Sequence, residues 1–449
     1  MAERSVFDRP HDGRPTVFLD VVIPELDPAE RWDVVVSGQR IGEVLPARPG
    51  GPDPAAHLIE GRGLWLLAGF IDDHVHLREP GREHEEGYAS GTRAAAAGGV
   101  TTLLEVQDDR PLMTSREAVE AKLEQVRPRA VVNVGVYGTL VPETLSEVGA
   151  MSDLVAGYKL AMGPSDDGLG VTGDEQRRAL FSAVATTGHW LFVHAEDGAT
   201  LAEGLGRHGD AGAAGWHLAR PAAAEVLAVQ ESVALGEACG TRVHLFHLST
   251  AGAADLVASA RAGGQPVTAG TCPHYLYFDH EDTARLGALL RVDPSIKTRA
   301  DGEALVEGLR SGDIDCLASD HGPHPAEAKA RPFAEAPSGI PCLDIFMPLC
   351  LTLVKRGLLD LATVLERASA TPAALHGFAK KGRVAAGLDA DLVLVDPDGV
   401  RAVRGAEHFS KAKQTPYEGL ELVGWPQLTM VMGRVVHVAE GRDEVAVEA

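Results

Sequence analysis

The run WLLAGFIDDHVHL at residues 65–77, followed by EEGYASGTRAAAAGG at 85–99 and VTTLLEV at 100–106, reads as strand, helix, strand. The outer runs are short, apolar and rich in β-branched residues, whereas the middle one is alanine-rich with helical spacing. This is the pattern of parallel strands each covered by a helix. The alternation continues to about residue 385 through VVNVGVYGTL (131–140), AGYKLAM (156–162), WLFVHAE (190–196), RVHLFHLS (242–249), PVTAGTCPH (266–274) and IDCLASDH (314–321). Helical segments such as DEQRRALFSAVAT (174–186) and AAAEVLAVQESVALGEA (222–238) lie between them. Eight β/α units in succession predict a TIM barrel, an α/β fold, over residues 66–385.

Outside that region the pattern changes. VFLDVVIPEL (17–26), WDVVVSGQRIGEVLP (32–46), ADLVLVDP (390–397) and LTMVMGRVVHVAEG (428–441) are short alternating strands with turn residues. They predict one small β-sandwich built from both chain ends, residues 1–65 and 386–449. The Gly/Pro-rich stretch at 48–54 reads as an ordinary loop.

A chain of 449 residues is long enough to bury a large core, and 45% hydrophobic with 23% charged residues is a globular composition. The formal charge of −23, from 64 acidic against 41 basic residues without a long basic run, argues against nucleic acid and anionic membranes as partners. No apolar run reaches membrane-spanning length, and MAERSVFDRP lacks the features of a secretory signal, so a cytoplasmic location is expected. Five scattered cysteines without C-x-x-C spacing predict neither a disulfide framework nor a zinc knot.

The ionisable residues of the barrel region gather at the C-terminal ends of the strand candidates, where catalytic loops of such a barrel sit. In GFIDDHVHLREPG (69–81), His74 and His76 lie two apart on a strand and project to one face, so both imidazoles can reach one metal. Lys159, His194, His247 and Asp320 end four further strands. Four histidines and an aspartate match the nitrogen and oxygen preferences of zinc.

These residues stand within motifs that together resemble the cyclic amidohydrolases, the group of dihydroorotases, allantoinases and hydantoinases. The motifs are HVHLREPG (74–81), GGVTT (98–102), YKLAMGPS (158–165), VHAED (193–197), HLST (247–250), TCPHYL (271–276), IDCLASDHGPH (314–324), EAPSGIP (335–341), GLDADLVLVDP (387–397) and FSKAKQTPYEG (409–419). The resemblance implies two zinc ions per subunit, one held by His74, His76 and Asp320 and the other by His194 and His247. It implies that Lys159, after reaction with carbon dioxide, bridges them as a carbamate. In a bacterial subset of dihydroorotases an aspartate of a similar segment replaces this lysine, which makes Asp167 the alternative bridge; YKLAMGPS looks like the lysine-bearing version. Asp320 would act as general acid and base while a cyclic amide or ureide ring is opened or closed. The partner implied is thus a small cyclic amide, and the expected assembly is a homodimer or homotetramer.

The resemblance also bears on the substrate. Dihydroorotases hold a substrate carboxylate with residues that Arg78 and His324 match, but EVQDDRP places Asp108 where that family has asparagine. DPSIK places Asp293 at a second asparagine position. Carboxylates facing an anionic substrate repel it, so either Asp108 pairs with Arg78 or these departures mark a relative of altered specificity, whose substrate carries an amide, amine or guanidine group. Hydantoinases use a tyrosine five residues beyond the lysine, where this chain has Pro164; Ser165 offers a hydroxyl from the same loop. ARPAAAE (219–225) and TCPHYLYFD (271–279) look allantoinase-like, whereas SDHGPH (319–324) is closer to dihydroorotases. The competing reading, a metal-free binding or assembly relative, sits poorly with a chain in which every ligand position is filled.

Overall fold

The computed structural model describes residues 13–47, 56–106, 109–164 and 169–442. The run that opens with Trp65 divides at Gly69. Trp65–Ala68 joins the sheet formed by the chain ends, and Phe70–Val75 becomes the first barrel strand, β1. A Cβ at Gly69 would lie 2.1 Å from Thr101 Oγ1, so only glycine lets the chain cross this close to the next strand.

From β1 the barrel strands follow in chain order. They are β2 Val100–Glu105, β3 Asn133–Val136 with its continuation Gly138–Thr139, β4 Tyr158–Ala161, β5 Trp190–His194, β6 Arg242–Leu245, β7 Val267–Thr271 and β8 Cys316–Leu317. Every neighbouring pair is parallel. The ring closes where His321 bridges Val75 and the His76 N–H donates to the His321 carbonyl at 3.0 Å. All eight strand candidates are therefore strands of one closed TIM barrel. The last is short because a side chain takes over the pairing: Ser319 N–H donates to Asp72 Oδ1 at 2.9 Å, and Asp320 then turns into the left-handed region at φ 49°.

The helical segments form as read at Asp174–Thr187 and Ala222–Cys239, whereas the first, read from Glu85, begins at Tyr88 after the Gly87 N-cap and runs to Ala97. The first ends at Gly98–Gly99, where Gly99, at φ 77°, makes the reversal into β2 at a cost a side chain would raise. Beneath the site, Tyr137, Phe192 and Phe246 pack with Leu104 and Val106 as an aromatic floor.

The ends of the chain meet in one sheet of eight strands. Trp65–Ala68 pairs in antiparallel fashion with Leu392–Asp396, and beyond it lie Thr16–Ile23, Asp27–Ser37 and Arg40–Pro46 on one side, Trp425–Val431 and Arg434–Val438 on the other. Phe18, Ile23, Val34, Ile41, Leu392, Leu394 and Leu428 from both halves share a core distinct from that of the barrel. The loop expected at 48–54 lies outside the described residues. Among the described residues no helix is long and apolar enough to cross a membrane.

Candidate active site

The six expected metal donors come from five barrel strands or the turns after them, His74 and His76 sharing the first, and they converge. His74 Nε2 lies 3.3 Å and His76 Nε2 3.4 Å from Asp320 Oδ1. His194 Nδ1 lies 3.2 Å from His247 Nε2, and the His74 and His247 rings are 5.0 Å apart between centroids. Lys159 lines the same cleft, with Nζ 4.5 Å from the centre of the Phe246 ring. The cleft encloses about 850 Å³ including its solvent-facing mouth, and its walls also carry Arg78, Arg82, Asp293, His324 and the 337–339 loop.

These separations decide whether metal fits. Ligands about 2.0–2.1 Å from a tetrahedral ion stand about 3.3 Å apart, which the donor pairs match in both clusters. A metal also needs neutral imidazoles. Burial, the Lys159 ammonium and the surrounding histidines hold His74 well below the ordinary histidine range. Burial, His194 and Lys159 do the same for His247. The His194 ring is oriented from behind: its Nε2–H donates to Glu196 Oε2 at 2.9 Å, leaving Nδ1 to face His247 with its lone pair. The donor set fits a divalent ion: His74, His76 and Asp320 form a three-ligand cluster, and His194 and His247 stand beside it as a further pair of donors.

The backbone is strained where these groups are presented. Arg78, His247 and Asp320 all have positive φ, at 65°, 39° and 49°. A non-glycine residue in this region costs about 1–3 kcal/mol, a penalty characteristic of positions held in place for function.

Sequence reasoning missed the residues that control charge in the cleft. Glu85 is the hub. Its carboxylate accepts from Arg82 Nε and Nη2 at 2.8 and 2.9 Å, from His324 Nδ1 at 2.8 Å, and lies 3.7 Å from Arg78 Nε. Burial alone would raise the Glu85 pKa; the His324 hydrogen bond and Arg78 outweigh it and bring the value down to about 2. Burial holds His324 down at about 4, so two guanidiniums face one carboxylate and a neutral imidazole. In sequence Glu85 opens the run read as the first helix, and nothing in the spacing of GREHEEG (81–87) marks Arg82 or Glu85.

The second missed residue is Arg220. It pairs with Glu196, and its Nε lies 3.2 Å from Asp293 Oδ1. Asp293, expected to repel an anionic substrate, thus has a buried countercharge. Arg78 contacts His324, with Nη2 3.1 Å from Nε2, as a shared substrate-binding role requires. Asp108, Ser165 and Asp167 lie outside the described residues, and Pro164 is not among the residues lining the cleft.

Known proteins bear on this geometry in three ways. A family model described as "Amidohydrolase family" matches residues 65–436. A dihydroorotase of Halobacterium salinarum is 36% identical over 408 residues, covering 90% of this chain and 93% of its own. One of Bacillus cytotoxicus is 33% identical over 384 residues, covering 85% and 89%. Among solved structures, the L-hydantoinase (dihydropyrimidinase) from Arthrobacter aurescens superposes with a TM-score of 0.89 at 28% identity, covering 94% of this chain and 96% of its own. The dihydropyrimidinase from Brevibacillus agri gives 0.84 at 25%, covering 94% and 95%.

Proposed function

The chain belongs to the amidohydrolase family, and from that premise we propose that it opens, and in reverse closes, a cyclic amide ring bearing a carboxylate, in the manner of a dihydroorotase. It is a hydrolase of cyclic amide C–N bonds, as its relatives named dihydroorotase and its structural neighbours named hydantoinase support. The observation that carries the finer reading is the convergence of His74, His76 and Asp320 beside His194 and His247 at the foot of one cleft whose walls also carry Arg78, Arg82 and His324.

His74, His76 and Asp320 would hold one zinc ion and His194 and His247 a second, with Lys159, as its carbamate, between them; Asp167 remains the alternative bridge. Zinc, where bound, makes water reactive near neutral pH and polarises the amide carbonyl. Asp320 takes the proton from the attacking water and delivers it to the departing ring nitrogen; the same steps run backward close the ring. Glu196 keeps His194 in the tautomer that faces the cleft. Arg78 and His324 hold the substrate carboxylate, and Arg82 adds the second guanidinium that leaves the wall positive against Glu85. A homodimer or homotetramer acting on a soluble small molecule in the cytoplasm belongs to the same reading.

The sequence departure at Asp108 favours the rival reading, a ring without an anionic group. The two are separated by assaying ring opening and closure on dihydroorotate, carbamoyl-aspartate, allantoin, hydantoins and cyclic imides. Preference for the carboxylate-bearing pair supports the proposal. Turnover of neutral rings alone, with dihydroorotate activity restored by Asp108→Asn, establishes the rival.

A further inference from the structure

Beside the donors assigned above, the ends of β7 and β8 assemble a second set. Cys272 follows β7 directly and His274 lies in the first turn of the short helix Pro273–Tyr277. Cys272, His274 and Asp320 each offer one ligand atom, and these atoms all lie within 4.8 Å of one another. Cys272 and His274 are fully buried, and Asp320 is 5% exposed. Neither ring nitrogen of His274 has a hydrogen-bond partner among the described residues. A buried imidazole left in this state loses about 1–3 kcal/mol, so its two nitrogens are a feature to be explained.

Sulfur, imidazole and carboxylate in one buried triad select a thiophilic divalent ion such as cadmium, mercury or surplus zinc over magnesium or calcium. We propose that Cys272, His274 and Asp320 form an inhibitory site for a thiophilic divalent cation, separate from the catalytic pair but sharing one carboxylate with it. On binding, the Cys272 thiol gives its proton to solvent and its sulfur bonds the ion; His274 contributes a ring nitrogen and Asp320 an oxygen. No electron transfer is involved. Inhibition follows from the sharing. Asp320 Oδ1 stands 3.3 and 3.4 Å from His74 and His76, and an ion on the sulfur side draws that carboxylate from the position in which it handles protons. The inhibitory part rests on the proposed function; occupancy of the triad does not.

Cadmium titration of the zinc-loaded full chain provides the test. The catalytic donors contain no sulfur, so a thiolate-to-cadmium ultraviolet band excludes the catalytic site, and its loss in Cys272→Ser assigns it to the triad among the five free cysteines. The wild type is expected to develop this band with saturation at one equivalent, release of one proton, and a parallel loss of ring-opening activity. Cys272→Ser should lose the band and stay active at cadmium concentrations that silence the wild type, and His274→Gln should bind cadmium about tenfold more weakly or worse. Cys342→Ala, whose thiol donates to the Ser319 carbonyl at 3.2 Å instead, should behave as wild type. A band that persists in Cys272→Ser, or inhibition of that variant equal to wild type, overturns the proposal. Should the unmodified enzyme open no cyclic amide, the function fails on its own, while the band, its stoichiometry and the proton release still decide the site.

Discussion

Replacing Arg82 by glutamine should convert an enzyme selective for acidic rings into one nearly indifferent to their charge. In the folded protein Arg78 and Arg82 bring two positive charges to a wall on which Glu85 supplies one negative. Glutamine leaves one against one, and the surplus that faces the substrate vanishes. A hydrogen bond between charged groups contributes about 1.5–3 kcal/mol. The Arg82 side chain keeps 24% of its surface exposed, and solvent screening places its contribution at the lower end. About 1.5 kcal/mol corresponds to roughly a tenfold fall in kcat/KM for dihydroorotate. Dihydrouracil, the same ring without the carboxylate, should change by less than about twofold, because it offers Arg82 no anion. Steady-state ring opening of both substrates at one pH and ionic strength measures the difference. Equal losses for the two rings, or none for either, would refute the assignment of Arg82 to substrate charge.

Further outcomes follow from the same geometry. Glu85 titrates near 2 in the folded protein against an ordinary 4.5, so its stabilising contribution is complete above pH 4.5 and is lost as the pH falls toward 2. With its solvent-facing side discounted, Glu85→Gln should lower stability by about 1–2 kcal/mol at neutral pH. Thermal melts should show a gap from wild type that is constant above pH 6 and narrows below 4.5; a gap that widens in acid contradicts this. Arg220→Met strands two buried carboxylates, Glu196 and Asp293, and should cost about 3–5 kcal/mol in urea unfolding at pH 7, whereas a near-neutral effect would mean that the pairing does not matter. Lys159→Ala should abolish activity and remove most of the bound metal measured by elemental analysis; if metal and activity survive, and Asp167→Ala loses both, the bridge is the aspartate.

The barrel was legible because its strands carry dense β-branched runs and its helices alanine-rich ones, and because ligand-type side chains end so many of the strands. His-x-His spacing survives folding unchanged: two residues on one strand face the same way in any sheet. What could not be read depends on distance in sequence or on backbone state. Arg220 meets Glu196 from 24 positions away, and Glu85 meets His324 across the seam where the last barrel strand closes on the first. Polar residues of such loops look alike whether they face water or a cleft. The division of the first run at Gly69 escaped because both halves are apolar strands, and only their partners differ. Left-handed conformations at Arg78, His247 and Asp320 have no signature in residues that ordinarily avoid them. The countercharge of Asp293 escaped for the same reason as the missed arginine, since it is remote in sequence.

The central claim is that donors from separate strands grip a pair of cations at the foot of the cleft. Anomalous diffraction at the zinc absorption edge, on crystals of protein produced with zinc and bicarbonate, tests it most directly. Two peaks are expected, one among His74, His76 and Asp320 and one beside His194 and His247, with density joining Lys159 to both. Crystals showing no peak there, at full occupancy of zinc in the medium, would contradict it.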